Sequence, residues 1–239
     1  MATAQKLRCQ ITRLVDHGEH VYTVDLRPER LAPRFRPGQF LHLALDEYDP
    51  SGFWPESRVF SIASAPAQRD LLRVSYSVRG RFTARMEREL AEEGHVWVKL
   101  PYGEFIIEDT SDIVLFAGGT GITAFTAFLD GLTPAFGHAV VVAYGARSAD
   151  LLIYRNLLAA RAALIPGLRA CCFVERGEPS LATSVGRLSV GAIWRHVAAP
   201  DQATYYLSGP PVMLKTLAGD LRGRGIADGA IRMMHGSKA

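Results

Sequence analysis

Ile113-Val-Leu-Phe-Ala-Gly-Gly-Thr-Gly-Ile-Thr-Ala-Phe125 decides the reading of this chain. Ile113 to Ala117 is a continuous apolar run, the pattern of a strand buried on both faces. Gly118, Gly119 and Gly121 break it. Ile122, Phe125, Thr126 and Leu129 then recur at helical spacing, so a helix is expected just past the glycines. A strand, a glycine turn and a helix make a phosphate cradle: the backbone approaches a diphosphate closely, and the helix N-terminus offers free N–H groups and a positive dipole end. Gly119-Thr120-Gly121-Ile122-Thr123-Ala124 fits G-x-G-x-x-A. Two features set it apart from an ordinary dinucleotide fold. It begins after more than a hundred residues, and the next expected strand, Ala139 to Tyr144, leads into Gly-Ala-Arg147 with no acid for a ribose 2′-OH. Something else occupies the first half, and the loop serves a variant of the fold.

The totals bound the alternatives. A chain of 239 residues holds two ordinary domains or one large one, and 48% hydrophobic with 21% charged residues is a globular composition. A net charge of +3 argues for neither nucleic acid nor a membrane surface. No apolar run approaches a membrane span. The opening Met-Ala-Thr-Ala-Gln-Lys carries no secretory pattern, and Cys9, Cys171 and Cys172 form an odd set, so a reducing, cytoplasmic setting is expected. Three cysteines at this spacing do not supply the four thiolates of a ferredoxin-type cluster. The seven histidines show no metal-ligand spacing.

From Leu7 to Leu100 the pattern is that of strands. Tyr22, Val24 and Leu26 alternate with Val21, Thr23 and Asp25. Leu72, Val74 and Tyr76 alternate with Leu71, Arg73 and Ser75. Val96, Val98 and Leu100 alternate with Trp97 and Lys99, and Phe40 to Leu45 follows the turn signal Pro37-Gly38. Short strands at this spacing indicate an antiparallel barrel or sandwich. One helix is expected at Thr83 to Glu93, with Thr83 as N-cap and Phe82, Met86 and Leu90 on one side. The polar run Glu108–Asp112 marks a boundary, giving domains 1–110 and 111–239. The fold class is a two-domain one, an N-terminal antiparallel β-barrel followed by an α/β domain with a parallel sheet.

Six segments recur in a telling order: Arg58-Val59-Phe60-Ser61, Val78-Arg-Gly80-Arg81-Phe82-Thr83, Leu100-Pro-Tyr-Gly-Glu-Phe105, the glycine loop, Tyr144-Gly-Ala-Arg147, and Ser208-Gly209-Pro210-Pro-Val-Met213. Each is degenerate; a strand with a solvated Arg58 and a core Phe60 explains the first of them equally well. As an ordered set covering nearly the whole chain, they resemble the ferredoxin–NADP reductase superfamily.

That resemblance implies FAD on the barrel and a nicotinamide cofactor on the second domain. Arg58 matches the arginine that neutralises the flavin diphosphate. Phe60 matches the aromatic that stacks on the isoalloxazine, without the hydroxyl of the usual tyrosine. Ser61 matches the hydroxyl that bonds flavin N5. Val78, Gly80, Arg81, Phe82 and Thr83 match a second phosphate segment, in which Gly80 permits close backbone approach. Gly119, Thr120, Gly121 and Ile122 take the diphosphate of the nicotinamide coenzyme. Ser208 stands where the family usually has cysteine beside the hydride path, followed by Gly209, Pro210 and Met213. Ser61 and Ser208 are the candidate catalytic residues. Arg147 and Arg176 follow successive strands near the adenosine ribose; two arginines there suit a 2′-phosphate and favour NADPH over NADH. Many relatives end in an aromatic that covers the flavin, whereas no Phe, Tyr or Trp follows Tyr206 here, and the last residues are expected to be mobile.

The activity implied is hydride transfer from NAD(P)H to FAD, then single-electron delivery to an external redox protein: a ferredoxin, a flavodoxin or an oxygenase component. Two other classes stay open at this point. One is a non-catalytic flavin- or nucleotide-binding subunit of a larger redox complex. The other is a flavin-free dehydrogenase with a barrel substrate domain.

Overall fold

The computed structural model describes residues 3–178 and 183–234. The chain forms two compact units. One runs to Ile106 and includes Thr126–Gly131; the other comprises Ile107–Phe125 and the chain from Leu132 onward.

The first unit is built from β1 (Gln5–Asp16), β2 (Val21–Pro28), β3 (Phe40–Ala44), β4 (Ser57–Ser61), β5 (Leu72–Ser77), α1 (Arg81–Glu89) and β6 (His95–Tyr102). The six strands form one antiparallel sheet in the order β4-β3-β6-β1-β2-β5. Its two ends nearly meet: just past β4, the Ala63 N–H donates to the Arg73 carbonyl of β5 at 2.8 Å, and the Arg73 N–H donates to Ser64 Oγ at 3.2 Å. The expected alternation holds in the register, where Tyr22, Val24 and Leu26 lie opposite Tyr76, Val74 and Leu72. These side chains face one core with Leu7, Leu41, Leu43, Val96 and Val98, a single barrel rather than two packed sheets. A bidentate Arg73–Asp25 pair at 2.5 and 2.8 Å ties β5 to β2.

Helix α1 sends Phe82, Met86 and Leu90 into that core, as their spacing predicts. Its start differs from the sequence expectation. Gly80, not Thr83, is the N-cap, and the helix spans Arg81–Glu89. Thr83 lies at the third helical position and reaches back, its Oγ1 accepting from the N–H groups of Arg79 at 2.9 Å and Gly80 at 3.2 Å. A threonine hydroxyl caps equally well from this inner position, which is how the local rule misplaced the boundary.

The second unit contains β7 (Ile113–Gly118), the first turn of α2 (Thr123–Gly131), β8 (Val140–Ala146), α3 (Arg155–Leu164), β9 (Leu168–Val174), β10 (Thr183–Val185), α4 (Val190–Ile193), β11 (Thr204–Ser208), α5 (Pro211–Gly223) and β12 (Ile231–Met233). The strands form a six-stranded parallel sheet in the order β10-β9-β8-β7-β11-β12. β7 is buried at every residue, as its unbroken apolar run requires. α5 buries Leu214, Leu217, Ala218 and Leu221. The chain progresses from β7 to β10 on one side, then returns to place β11 on the other side of β7. The order therefore reverses between β7 and β11, and in open α/β sheets ligands bind in the crevice beyond the strand C-termini at such a point.

Among the described residues no helix is long and apolar enough to cross a membrane.

Candidate functional site

In the first unit, anion-binding groups gather where β4 meets the start of α1. The period of two puts Arg58 and Phe60 on one face of β4 and Val59 and Ser61 on the other. In the register Arg58 lies opposite Leu43 and Phe60 opposite Leu41. Phe60 is half-buried against the barrel core, its ring 6.0 Å from Tyr76 in an edge-to-face arrangement. The Arg58 guanidinium sits over the Phe82 ring at 5.2 Å, while its Nη1 donates to the Ser57 carbonyl at 2.9 Å. Helix packing thus brings Arg58 to the N-terminal turn of α1, where Arg81 also projects.

Both arginines share a residue that sequence reasoning missed. Glu56 Oε1 lies 3.2 Å from Arg58 Nη2 and 3.6 Å from Arg81 Nη2. The legible signal was an acid two positions before Arg58, just ahead of β4.

Gly80 has φ −171°, and a Cβ built on it meets nothing within 4 Å. Neither its backbone conformation nor packing within the chain calls for glycine there. Two arginines, a helix N-terminus and an unobstructed glycine backbone fit a diphosphate. Val78 packs partly against the core. Behind Phe60 the Tyr76 hydroxyl is buried with no hydrogen-bond partner among the described residues; burial above all pushes its pKa up. The neighbouring Tyr22 donates to Glu87 at 2.9 Å, and that bond is the main reason its phenol is pushed up to about 12. Neither phenol is an acid or base near neutral pH.

In the second unit, the crevice at the order reversal is lined by two interlocked loops. β7 runs into a 3₁₀ turn over Gly119–Ile122 before α2 starts at Thr123, so the helix opens just past the glycines, as expected, through a tighter first turn. Thr123 Oγ1 donates to the Thr120 carbonyl at 2.8 Å. Gly119 has φ +54°, and a Cβ there meets nothing within 4 Å. Gly121 answers a different demand. A Cβ on it would lie 2.5 Å from the Ser208 carbonyl oxygen and 2.8 Å from the Gly209 nitrogen. Its immediate role is to let the turn after β7 press against the turn after β11.

Gly209, at φ +153°, would meet Met213 Cε at 2.6 Å, and Gly118 would meet Met213 Sδ at 2.6 Å. Met213 is therefore the wedge that fills the space Gly118 and Gly209 vacate. Pro210 is the N-cap of α5. Ile122 is fully buried and offers a ligand only its backbone. Ser208 is 3% exposed, and its hydroxyl donates to Met234 Sδ at 3.7 Å. The chain end expected to be mobile, residues 235–239, lies outside the described residues.

Arg147 and Arg176 are neighbours through the backbone. The Arg176 N–H donates to the Arg147 carbonyl at 2.9 Å beyond the ends of β8 and β9, and both side chains are exposed. Glu175 is 3.8 Å from Arg187. Among the described residues no cluster of His, Cys, Asp or Glu has the makings of a metal site. The cations at these places are arginines, with Glu56 between two of them, so the arrangement suits holding anions rather than moving protons.

Residues 115–218 match the family model described as "Oxidoreductase NAD-binding domain". The chain is 26% identical over 133 residues to the NAD(P)H-flavin reductase of Vibrio harveyi, covering 52% of this chain and 53% of that protein. It is 26% identical over 199 residues to the toluate 1,2-dioxygenase electron transfer component of Pseudomonas putida, covering 80% and 56%. The chain thus spans about half the length of the curated relatives it matches. In fold it is similar to a ferredoxin NADP+ reductase from Neisseria gonorrhoeae with bound FAD and NADP, at a TM-score of 0.78 and 20% identity over 98% of this chain and 99% of that one.

Proposed function

We propose that this chain, which belongs to the ferredoxin–NADP reductase superfamily, is an FAD-dependent NAD(P)H reductase that supplies electrons to an external acceptor. What carries the reading is that each unit holds its own anion cradle: Arg58, Arg81 and the start of α1 in the barrel, and the interlocked turns after β7 and β11 in the parallel-sheet unit. A flavin-free dehydrogenase has no use for the first cradle. The functional division is taken as 1–110 and 111–239.

When bound, the flavin accepts a hydride from the nicotinamide coenzyme and returns electrons singly. The chain's own contribution is binding and orientation. Arg58 and Arg81 neutralise a diphosphate, with backbone N–H groups near Gly80 available through the open glycine. Phe60 offers the isoalloxazine an aromatic face and Ser61 a hydroxyl toward N5. Gly119, Thr120 and the Ile122 backbone cradle the coenzyme's diphosphate at the start of α2. Ser208, with Gly209, Pro210 and the wedge Met213, shapes the crevice beside them. Arg147 and Arg176 offer two cations to a 2′-phosphate, which favours NADPH. Cys9, Cys171 and Cys172 are free thiols, fewer than the four an iron–sulfur cluster takes, and the acceptor assigned here is a redox partner: a ferredoxin, a flavodoxin or, as the name of the Pseudomonas relative suggests, an oxygenase component.

The test is a flavin-binding isotherm paired with coenzyme-dependent reduction of ferricyanide. FAD binding together with NADPH-driven reduction supports the reading. FAD binding without any reduction by either coenzyme makes the chain a binding subunit, and no flavin binding at all overturns the reading.

A further inference from the structure

Glu56 stands where an anion belongs. Its single oxygen Oε1 meets Arg58 Nη2 at 3.2 Å and Arg81 Nη2 at 3.6 Å, beside the N-terminal turn of α1. The other acids around this helix have their own partners. Asp46 and Glu89 both bind Arg85, at 2.5 and 2.8 Å, and Glu87 holds His20 and Tyr22 at 2.7 and 2.9 Å. Among the described residues only Glu56 is shared by the two cations assigned to the diphosphate. It is 40% exposed, against 39% for Arg58 and 89% for Arg81, so the contact forms and breaks at the surface, where ion pairs are individually weak.

We propose that Glu56 is a built-in competitor of the flavin diphosphate, so that flavin exchanges with solution instead of being held permanently. The inference rests on the flavin-binding reading above and adds the residue that sets the affinity. Before the flavin arrives, Arg58 and Arg81 already have a carboxylate; binding exchanges that contact for phosphate and leaves Glu56 as a like charge beside the phosphates. Both effects reduce the net gain. The same carboxylate keeps two neighbouring guanidinium groups together while the flavin is away, so re-entry needs no reassembly of the pair.

The test compares the dissociation constants of the parent and Glu56→Gln for FAD and for riboflavin, by quenching of flavin fluorescence. Glutamine keeps the shape and a hydrogen-bond acceptor but removes the charge. FAD binding to the variant should be roughly fivefold tighter, the equivalent of about 1 kcal/mol. The gain should shrink with added salt, and riboflavin, which carries no phosphate, should bind both proteins equally. Equal or weaker FAD binding in the variant overturns the inference and makes Glu56 a support for the arginines. The same gain for riboflavin as for FAD overturns it too, since the effect is then not on phosphate. Failure of the parent protein to bind any flavin overturns the flavin reading itself.

Discussion

Alanine at position 121 would put a methyl carbon 2.5 Å from the Ser208 carbonyl oxygen, 2.7 Å from its carbon and 2.8 Å from the Gly209 nitrogen. All three neighbours are backbone, so no side chain can rotate away; the turn after β7 or the turn after β11 must move. Overpacking of this kind costs ~1–3 kcal/mol, and the rigid neighbours place it in the upper half. At about 2–4 °C per kcal/mol for a chain of this size, the midpoint of thermal unfolding should fall by roughly 4–12 °C. Gly119→Ala is the control: it meets nothing within 4 Å and suffers only from φ +54°, a cost of about 1–2 kcal/mol. Scanning calorimetry of both variants reads the order, and a coenzyme-binding isotherm reads the consequence. Gly121→Ala should be the less stable and should lose NADPH affinity, because the two turns form one crevice. Parent-like melting of Gly121→Ala, or a larger loss in Gly119→Ala, would refute the interlocked-loop account.

Arg58→Ala should weaken FAD binding by roughly ten- to a hundredfold, from the loss of a charge-assisted bond of ~1.5–3 kcal/mol. Its fold should survive, because the contacts it gives up are a surface ion pair, one cation–π contact and a hydrogen bond to the adjacent Ser57 carbonyl; unchanged retention of FAD through dialysis would show that Arg58 does not hold the flavin. Arg147→Ala should raise the Michaelis constant for NADPH and leave that for NADH nearly unchanged, with the gap narrowing at high salt; equal losses for both coenzymes would move Arg147 to the shared diphosphate.

What the sequence disclosed and what it hid divide along physical lines. Alternation at Tyr22, Val24 and Leu26 records a sheet with one buried face, and the unbroken run Ile113–Ala117 records a strand covered on both. These are local consequences of burial, and they gave the barrel and the parallel sheet. The helical spacing of Phe82, Met86 and Leu90 was equally local. The start of that helix was misread because Thr83 caps from the third position while Gly80 takes the N-cap. The reason for Gly121 lay in a contact with Ser208 and Gly209, and no local rule reports a partner so distant along the chain. Glu56 stayed hidden because its meaning comes from two arginines, one of which only packing brings near.

The measurement that bears most directly on the central claim is an anaerobic titration of the FAD-loaded protein with NADPH and, separately, NADH, followed by flavin absorbance. The account expects the absorbance of the oxidised flavin near 450 nm to bleach stoichiometrically, with NADPH acting at lower concentration than NADH. Bleaching by NADH alone would remove the role given to Arg147 and Arg176 and leave the reductase standing. A protein that stays yellow with excess of both coenzymes would contradict the reductase itself.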